Sequence, residues 1–225
     1  MPTGRDLALG VALHVALGTL FGYGSILPFQ LPGLSLFGEA ALPAGLDDYA
    51  WEVVILSALL PYLCRRDIAG REALWIDRTD WGYVLVLVIG AYMLDIVADF
   101  AIDGLLPTSD GTPDDGIRAE LEGLRFAPLD FALYATCISV VGPVVEELVF
   151  RGWLYAHLRA RLGALPTIFL TGALFGLLHG GPPGYAISIA VSGMIYGALR
   201  ELTGGIVAPT AAHVLNNTIA TLGDL

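Results

Sequence analysis

The chain has 225 residues, of which 56% are hydrophobic before its 28 glycines are counted and only 15% are charged. A soluble globular domain is about 45–50% apolar with glycine included and about 25% charged, so this balance excludes an ordinary soluble enzyme and a disordered chain alike. The net charge of −11, with all eleven basic residues Arg, excludes a nucleic-acid binder, which needs Lys/Arg clusters to meet phosphates.

What remains is an all-α, polytopic transmembrane bundle of about seven spans, a single integral-membrane domain over residues 1–225. Leu7–Leu27 is long enough to cross a bilayer. Arg5 before it raises a signal peptide, but the length of the run and the spans that follow favour a retained helix. Segment 28–48 is rich in Pro and Gly and reads as a loop or interfacial stretch. Trp51–Cys64 is a shorter apolar run ending at Arg65 and Arg66, and Trp81–Ile102 is a third span. Segment 104–127 is polar and acidic, a turn followed by a short amphipathic helix. A fourth run extends from Leu129 to about Leu158, and Ala164–Leu178, Tyr185–Leu199 and Ile206–Leu222 complete the set. Cys64 and Cys137 lie in apolar stretches at no metal-ligand spacing and read as small core residues.

With the N-terminus in the cytoplasm, eight Arg fall on the cytoplasmic ends (5, 65, 66, 71, 78, 159, 161, 200) and two outside (118, 125), leaving Arg151 aside. The positive-inside rule therefore gives a multi-pass protein with its N-terminus cytoplasmic and its C-terminus outside.

A charge at the bilayer centre costs about 2.5–3.5 kcal/mol on insertion scales, so intramembrane polar residues point to function. Four groups stand out. Glu146 and Glu147 are adjacent carboxylates in an apolar helix, and Arg151 lies four residues after Glu147, on its face and in the favourable acid-before-base order. Glu146 is turned about 100° away, so Arg151 neutralises Glu147 and leaves Glu146 for a polar cavity and for general base or acid work. The plainer alternative is a helix end with interfacial charges. Phe175 and His179 are four apart, just before the helix-breaking run Gly180–Gly184, where a His is also an ordinary capping or interfacial residue. His213 and Asn217 share a face of the last span and suit metal ligation, oxyanion stabilisation or simple polar packing between helices. Asp95, Asp99 and Asp103 form a stripe that either lines a cation path or runs out to the interface with only Asp95 deep.

Taken together and in this order, Glu-Glu-x-x-x-Arg at 146–151, Phe-x-x-x-His at 175–179 and His-x-x-x-Asn at 213–217 resemble the CPBP (Abi, CAAX protease and bacteriocin-processing) family of intramembrane proteases, which includes the type II CAAX prenyl endopeptidases. The resemblance covers a catalytic core at about 129–222. It implies an intramembrane endopeptidase acting on membrane-associated, including prenylated CAAX-type, proteins or peptides. It implies Glu146 as the glutamate that activates water, His179 as its assistant, His213 and Asn217 as oxyanion donors, and Glu147, Arg151 and Phe175 as support. It leaves two chemistries open: no cofactor, or a Zn²⁺ held by Glu146, His179 and His213. The absence of a His-Glu-x-x-His helix favours the first. Two other classes stay in view: a non-catalytic immunity or scaffold protein of the same fold, and an ion or proton carrier built on Asp95, Asp99 and the carboxylate pair.

Overall fold

A computed structural model describes residues 80–106 and 113–223. The expected spans Leu7–Leu27 and Trp51–Cys64, the loop 28–48 and the Arg residues at 5, 65, 66, 71 and 78 lie outside the described residues. Every element among the described residues is helical: α1 Trp81–Leu105, α2 Pro113–Leu124, α3 Pro128–Leu162, α4 Ala164–His179, α5 Pro183–Thr203 and α6 Val207–Gly223. Of these, α1 (25 residues) and α3 (35 residues) are long and apolar enough to cross a membrane. Lipid supplies no hydrogen bonds, so a spanning segment must satisfy its own backbone, and helices do this within one segment.

Helix boundaries follow local chemistry. Asp80 caps α1, its Oδ1 accepting from Gly82 N at 2.9 Å. Gly163 (φ 81°) separates α3 from α4, and Gly180 and Gly181 (φ 67° and 81°) end α4 directly after His179. The amphipathic helix expected in 104–127 is α2, whose Leu121 packs with Tyr134 and Ile138 of α3.

Three apolar clusters join the helices. Val84, Val88 and Ala91 of α1 pack on Ile195, Tyr196 and Leu199 of α5 and on Ala208 and Ala212 of α6. Val149, Phe150, Trp153 and Leu154 of α3 pack on Phe175 of α4. The α4–α5 seam is set by small residues. A Cβ on Gly172 would lie 2.5 Å from Met194 Cγ, and one on Gly176 would run into the Ala186 carbonyl oxygen. Close approach of backbones through small residues is how apolar helices associate where lipid removes the hydrophobic drive.

α3 is not a uniform α-helix. Cys137–Val141 and Leu148–Leu154 are π-helical. In the first, Gly142 N–H donates to the Cys137 carbonyl, five residues back. The next donor in that register would be residue 143, which is Pro and has no N–H. The Ile138 carbonyl is thus left without its backbone donor, and Asn217 Nδ2 of α6 donates to it at 3.1 Å. In the second, Tyr155 N–H goes to Phe150, and the Arg151 carbonyl accepts from Arg200 Nε of α5 at 3.1 Å. A side chain from α6 thus completes the first widened turn, and one from α5 binds the second.

Beyond the apolar part of α5, Glu201 receives Arg159 Nη2 at 2.9 Å and Tyr155 Oη at 2.7 Å, clamping the end of α3 to the end of α5. The Arg159 hydrogen bonds, and then that from Tyr155, hold the Glu201 carboxyl below the usual carboxylate range. A depressed folded value means that the clamp's contribution is complete above the unfolded value of about 4.3 and is lost as pH falls through the lower folded one. Thermal unfolding in detergent should therefore show wild-type stability falling more steeply than that of Glu201→Gln as the pH is lowered below about 4.3.

Candidate active site

The three motifs meet where α3, α4, α5 and α6 pack together. Glu147 and Arg151 are both fully buried. Arg151 Nη1 donates to Glu147 Oε1 at 2.6 Å, and Arg151 Nη2 donates to the Gly193 carbonyl of α5 at 2.7 Å. The guanidinium also lies over the rings of Phe175 (4.7 Å) and Tyr196 (5.4 Å), so its desolvated charge faces π-electron density. Gly193 fits this place for want of a side chain, since a Cβ there would lie 3.0 Å from the Gly172 Cα of α4.

His213 of α6 is buried against the same carboxylate. Its Nδ1 lies 3.1 Å from Glu147 Oε1, and its Nε2 lies 3.7 Å from Glu146 Oε2. Its ring stacks on Tyr196 at 4.9 Å and 24°, and meets Phe175 edge-on at 5.7 Å and 81°. An ionised carboxylate only accepts, so Glu147 fixes Nδ1 as a donor and turns Nε2 toward Glu146.

The two adjacent glutamates therefore differ. Glu147 is enclosed, with Oε1 shared between Arg151 and His213. Glu146 keeps 14% of its side chain exposed, and its one ionic neighbour among the described residues is His213. This is the division expected from the 147–151 spacing. That His213 bridges the two carboxylates was not legible in the sequence, because it depends on how α6 docks on α3.

His179 stands at the end of α4, half-buried. Its Nδ1 pairs with the Phe175 carbonyl at 2.8 Å, and its ring lies 4.5 Å from the Phe175 ring. No hydrogen bond or ion pair joins His179 to Glu146 or His213. Phe175 stands between the two imidazoles, touching both. Asn217 lies one turn beyond His213, and its amide nitrogen is engaged by Ile138, so one of its donors serves the backbone of α3.

A resident metal would need Glu146, His179 and His213. Both histidines use Nδ1 on protein acceptors, which leaves Nε2 for a ligand, the ordinary arrangement of a ligating imidazole. Yet among the described residues no three His, Cys, Asp or Glu side chains lie close enough together to hold one ion.

Sequence reasoning passed over Tyr196 and Ser192. Tyr196 carries the His213 ring, and Ser192, one turn earlier on α5, donates to the buried Asp95 of α1 at 2.7 Å. Asp99 of the same acidic stripe is exposed and pairs with Ser188. The stripe is thus a polar seam between antiparallel α1 and α5, with only Asp95 buried.

Fold and site together define an apolar helical protein whose buried acid and guanidinium on α3 meet a buried imidazole of α6, enclosed by α4 and α5. Residues 128–219 match the family model described as type II CAAX prenyl endopeptidase Rce1-like, which bears out the resemblance carried by the three motifs. Over 115 residues the chain is 24% identical to "Putative membrane peptidase YdiL" of Bacillus subtilis (strain 168), an alignment covering 51% of this chain and 45% of that protein. The chain thus spans about half the length of the curated relative it matches. No solved structure matches it.

The burial of the ion pair makes a direct prediction. Removing one partner of a buried pair costs about 3–5 kcal/mol because a desolvated charge is stranded. Arg151→Ala should lower the unfolding midpoint in detergent sharply. Glu147→Gln, which still accepts from Arg151 and His213, should lower it less. Equal and small effects from both would show that the pair does not hold the helices together.

Proposed function

We propose that the protein is a membrane-embedded endopeptidase that hydrolyses peptide bonds of membrane-associated substrates, prenylated CAAX-type chains among them. One observation carries the reading: of two adjacent glutamates in an apolar core, Glu147 is consumed by structure and Glu146 is not. A carboxylate with no guanidinium partner among the described residues, part-exposed and beside an imidazole, is placed to take a proton from water. Glu146 acts as the general base, His179 orients the water through its free Nε2, and the hydroxide equivalent attacks the scissile carbonyl.

The charge that develops on the carbonyl oxygen needs donors. His213 Nε2 and the second amide hydrogen of Asn217 fill that role. For Nε2 to donate while Nδ1 donates to Glu147, the ring must carry both protons, so His213 acts as imidazolium between two acids. Arg151 offsets Glu147, and Phe175 holds the two imidazoles apart at fixed spacing. The proton taken by Glu146 then passes to the leaving amine, which restores the base. No metal takes part in this scheme. The family match and the name of the Bacillus relative support the peptidase class, and the apolar helices α1 and α3 support the membrane location.

The test is cleavage of a fluorescence-quenched farnesylated CAAX peptide by the purified full chain in liposomes, with the same peptide lacking the lipid run in parallel. Loss of a general base costs about 10²–10⁴-fold, so Glu146→Gln should lose that much while keeping the wild-type unfolding midpoint. A chelator should leave the wild-type rate unchanged. A fully active Glu146→Gln protein overturns the assignment of the base, and chelator-sensitive activity restored by Zn²⁺ overturns the metal-free scheme.

A further inference from the structure

Among the described residues, four buried polar atoms at or near the site have no hydrogen-bond partner: Glu147 Oε2 and Arg151 Nε within the ion pair itself, and, one helix away from it, Asp95 Oδ2 and Tyr196 Oη. Asp95 lies on α1, outside the three motifs, and is 2% exposed. Its Oδ1 is taken by Ser192, one helical turn before Tyr196 on α5. The turn before that pairs Ser188 with Asp99, so α1 and α5 run antiparallel in a register that brings Asp95 toward the tyrosine. Tyr196 belongs to the same buried cluster as Ala91 of α1, one turn from Asp95.

An unpaired buried acceptor and an unpaired buried donor each cost about 1–3 kcal/mol, and joining them removes both costs. A phenol donates and a carboxylate accepts, so the two are complementary. A small rotation of the ring, or one water held between the groups, completes the bond.

We infer that Asp95 is a positioning residue for the active site: it holds the Tyr196 hydroxyl, and through it fixes the ring on which His213 stacks. His213 is then oriented from two sides, by Glu147 at Nδ1 and by the Asp95–Tyr196 couple beneath its plane. The couple touches neither substrate nor the reacting atoms. It limits the ring's tilt, and so sets where Nε2 points. This inference rests on the proposed role of His213.

The experiment reads His213 directly, so that its outcome does not depend on proteolysis. The chain has four histidines, His14, His157, His179 and His213. With ¹⁵N-labelled imidazoles in detergent micelles, the His213 signal is assigned by its loss in His213→Gln. Asp95→Asn and Tyr196→Phe should each shift the His213 ring resonances and leave those of His157 unmoved. The double variant should shift them no further than the larger single change, because both break one link. Asp95→Glu, which keeps the acceptor, should restore part of the wild-type signal. In the peptide assay the same variants should lower kcat by up to about 100-fold, as a misplaced catalytic group does, with KM little changed. His213 resonances unmoved by either single variant, or shifts that simply add, would overturn the coupling. Absence of peptide cleavage by wild-type protein, with the coupling intact, would instead count against the peptidase reading alone. Should Asp95→Asn fail to fold, Tyr196→Phe, which deletes one oxygen and keeps the stack, decides the question: an unmoved His213 signal in that variant overturns the inference.

Discussion

A guanidinium and a carboxylate, both fully buried, hold the centre of this protein. Bringing two ions out of water costs several kcal/mol each, and their attraction returns that only with good geometry and further hydrogen bonds. Every such requirement recruits another helix. Arg151 needs a second acceptor and takes the Gly193 carbonyl, which α5 can offer because Gly172 and Gly193 allow α4 and α5 to meet closely. Glu147 takes a second donor from His213, which fixes α6. The guanidinium face needs electron density and finds Phe175 and Tyr196. One costly pair thus specifies how four helices meet, and the proposed catalytic groups are arranged around it.

The same pair separates structure from chemistry. Two adjacent glutamates point in different directions from a helix. With Arg151 on the face of Glu147, the ion pair belongs to one acid only, and the other is left poised. The division needs no special residue, only the four-residue spacing. It also explains why His213 can bridge the two acids: it approaches from α6 across the gap between them, with one ring nitrogen for each.

Much of this was legible from side-chain types and spacing. The ends of α3, α4, α5 and α6 agree with the apolar runs and glycine breaks to within a few residues, because an apolar helix satisfies its own backbone and its limits are written locally. The Glu147–Arg151 contact followed from four-residue spacing. What could not be read were relations between helices. Tyr196 looks like any aromatic in an apolar run, and its contact with His213 exists only once α5 and α6 pack. Spacing alone leaves open how His179 relates to His213. The structure places it a turn beyond Phe175, which links it to His213 without a direct bond. The π-helical turns of α3 were equally hidden: Pro143 announces a missing N–H, but whether a kink, a break or a wider turn results depends on what stands ready to fill the gap.

That filling has a consequence for how the protein is made. Asn217, near the C-terminal end of the described chain, supplies the donor that Pro143 withholds from the Ile138 carbonyl. Until α6 has been synthesised, α3 carries an unsatisfied carbonyl in its apolar middle. Helix α3 therefore cannot settle as a finished, lipid-compatible cylinder before α6 is present. It stays open to α6, and the docking of α6 both closes the backbone of α3 and delivers His213 to Glu147. Closure of the α3 backbone and assembly of the proposed catalytic centre are then one event, so a chain cut short before α6 would lack both.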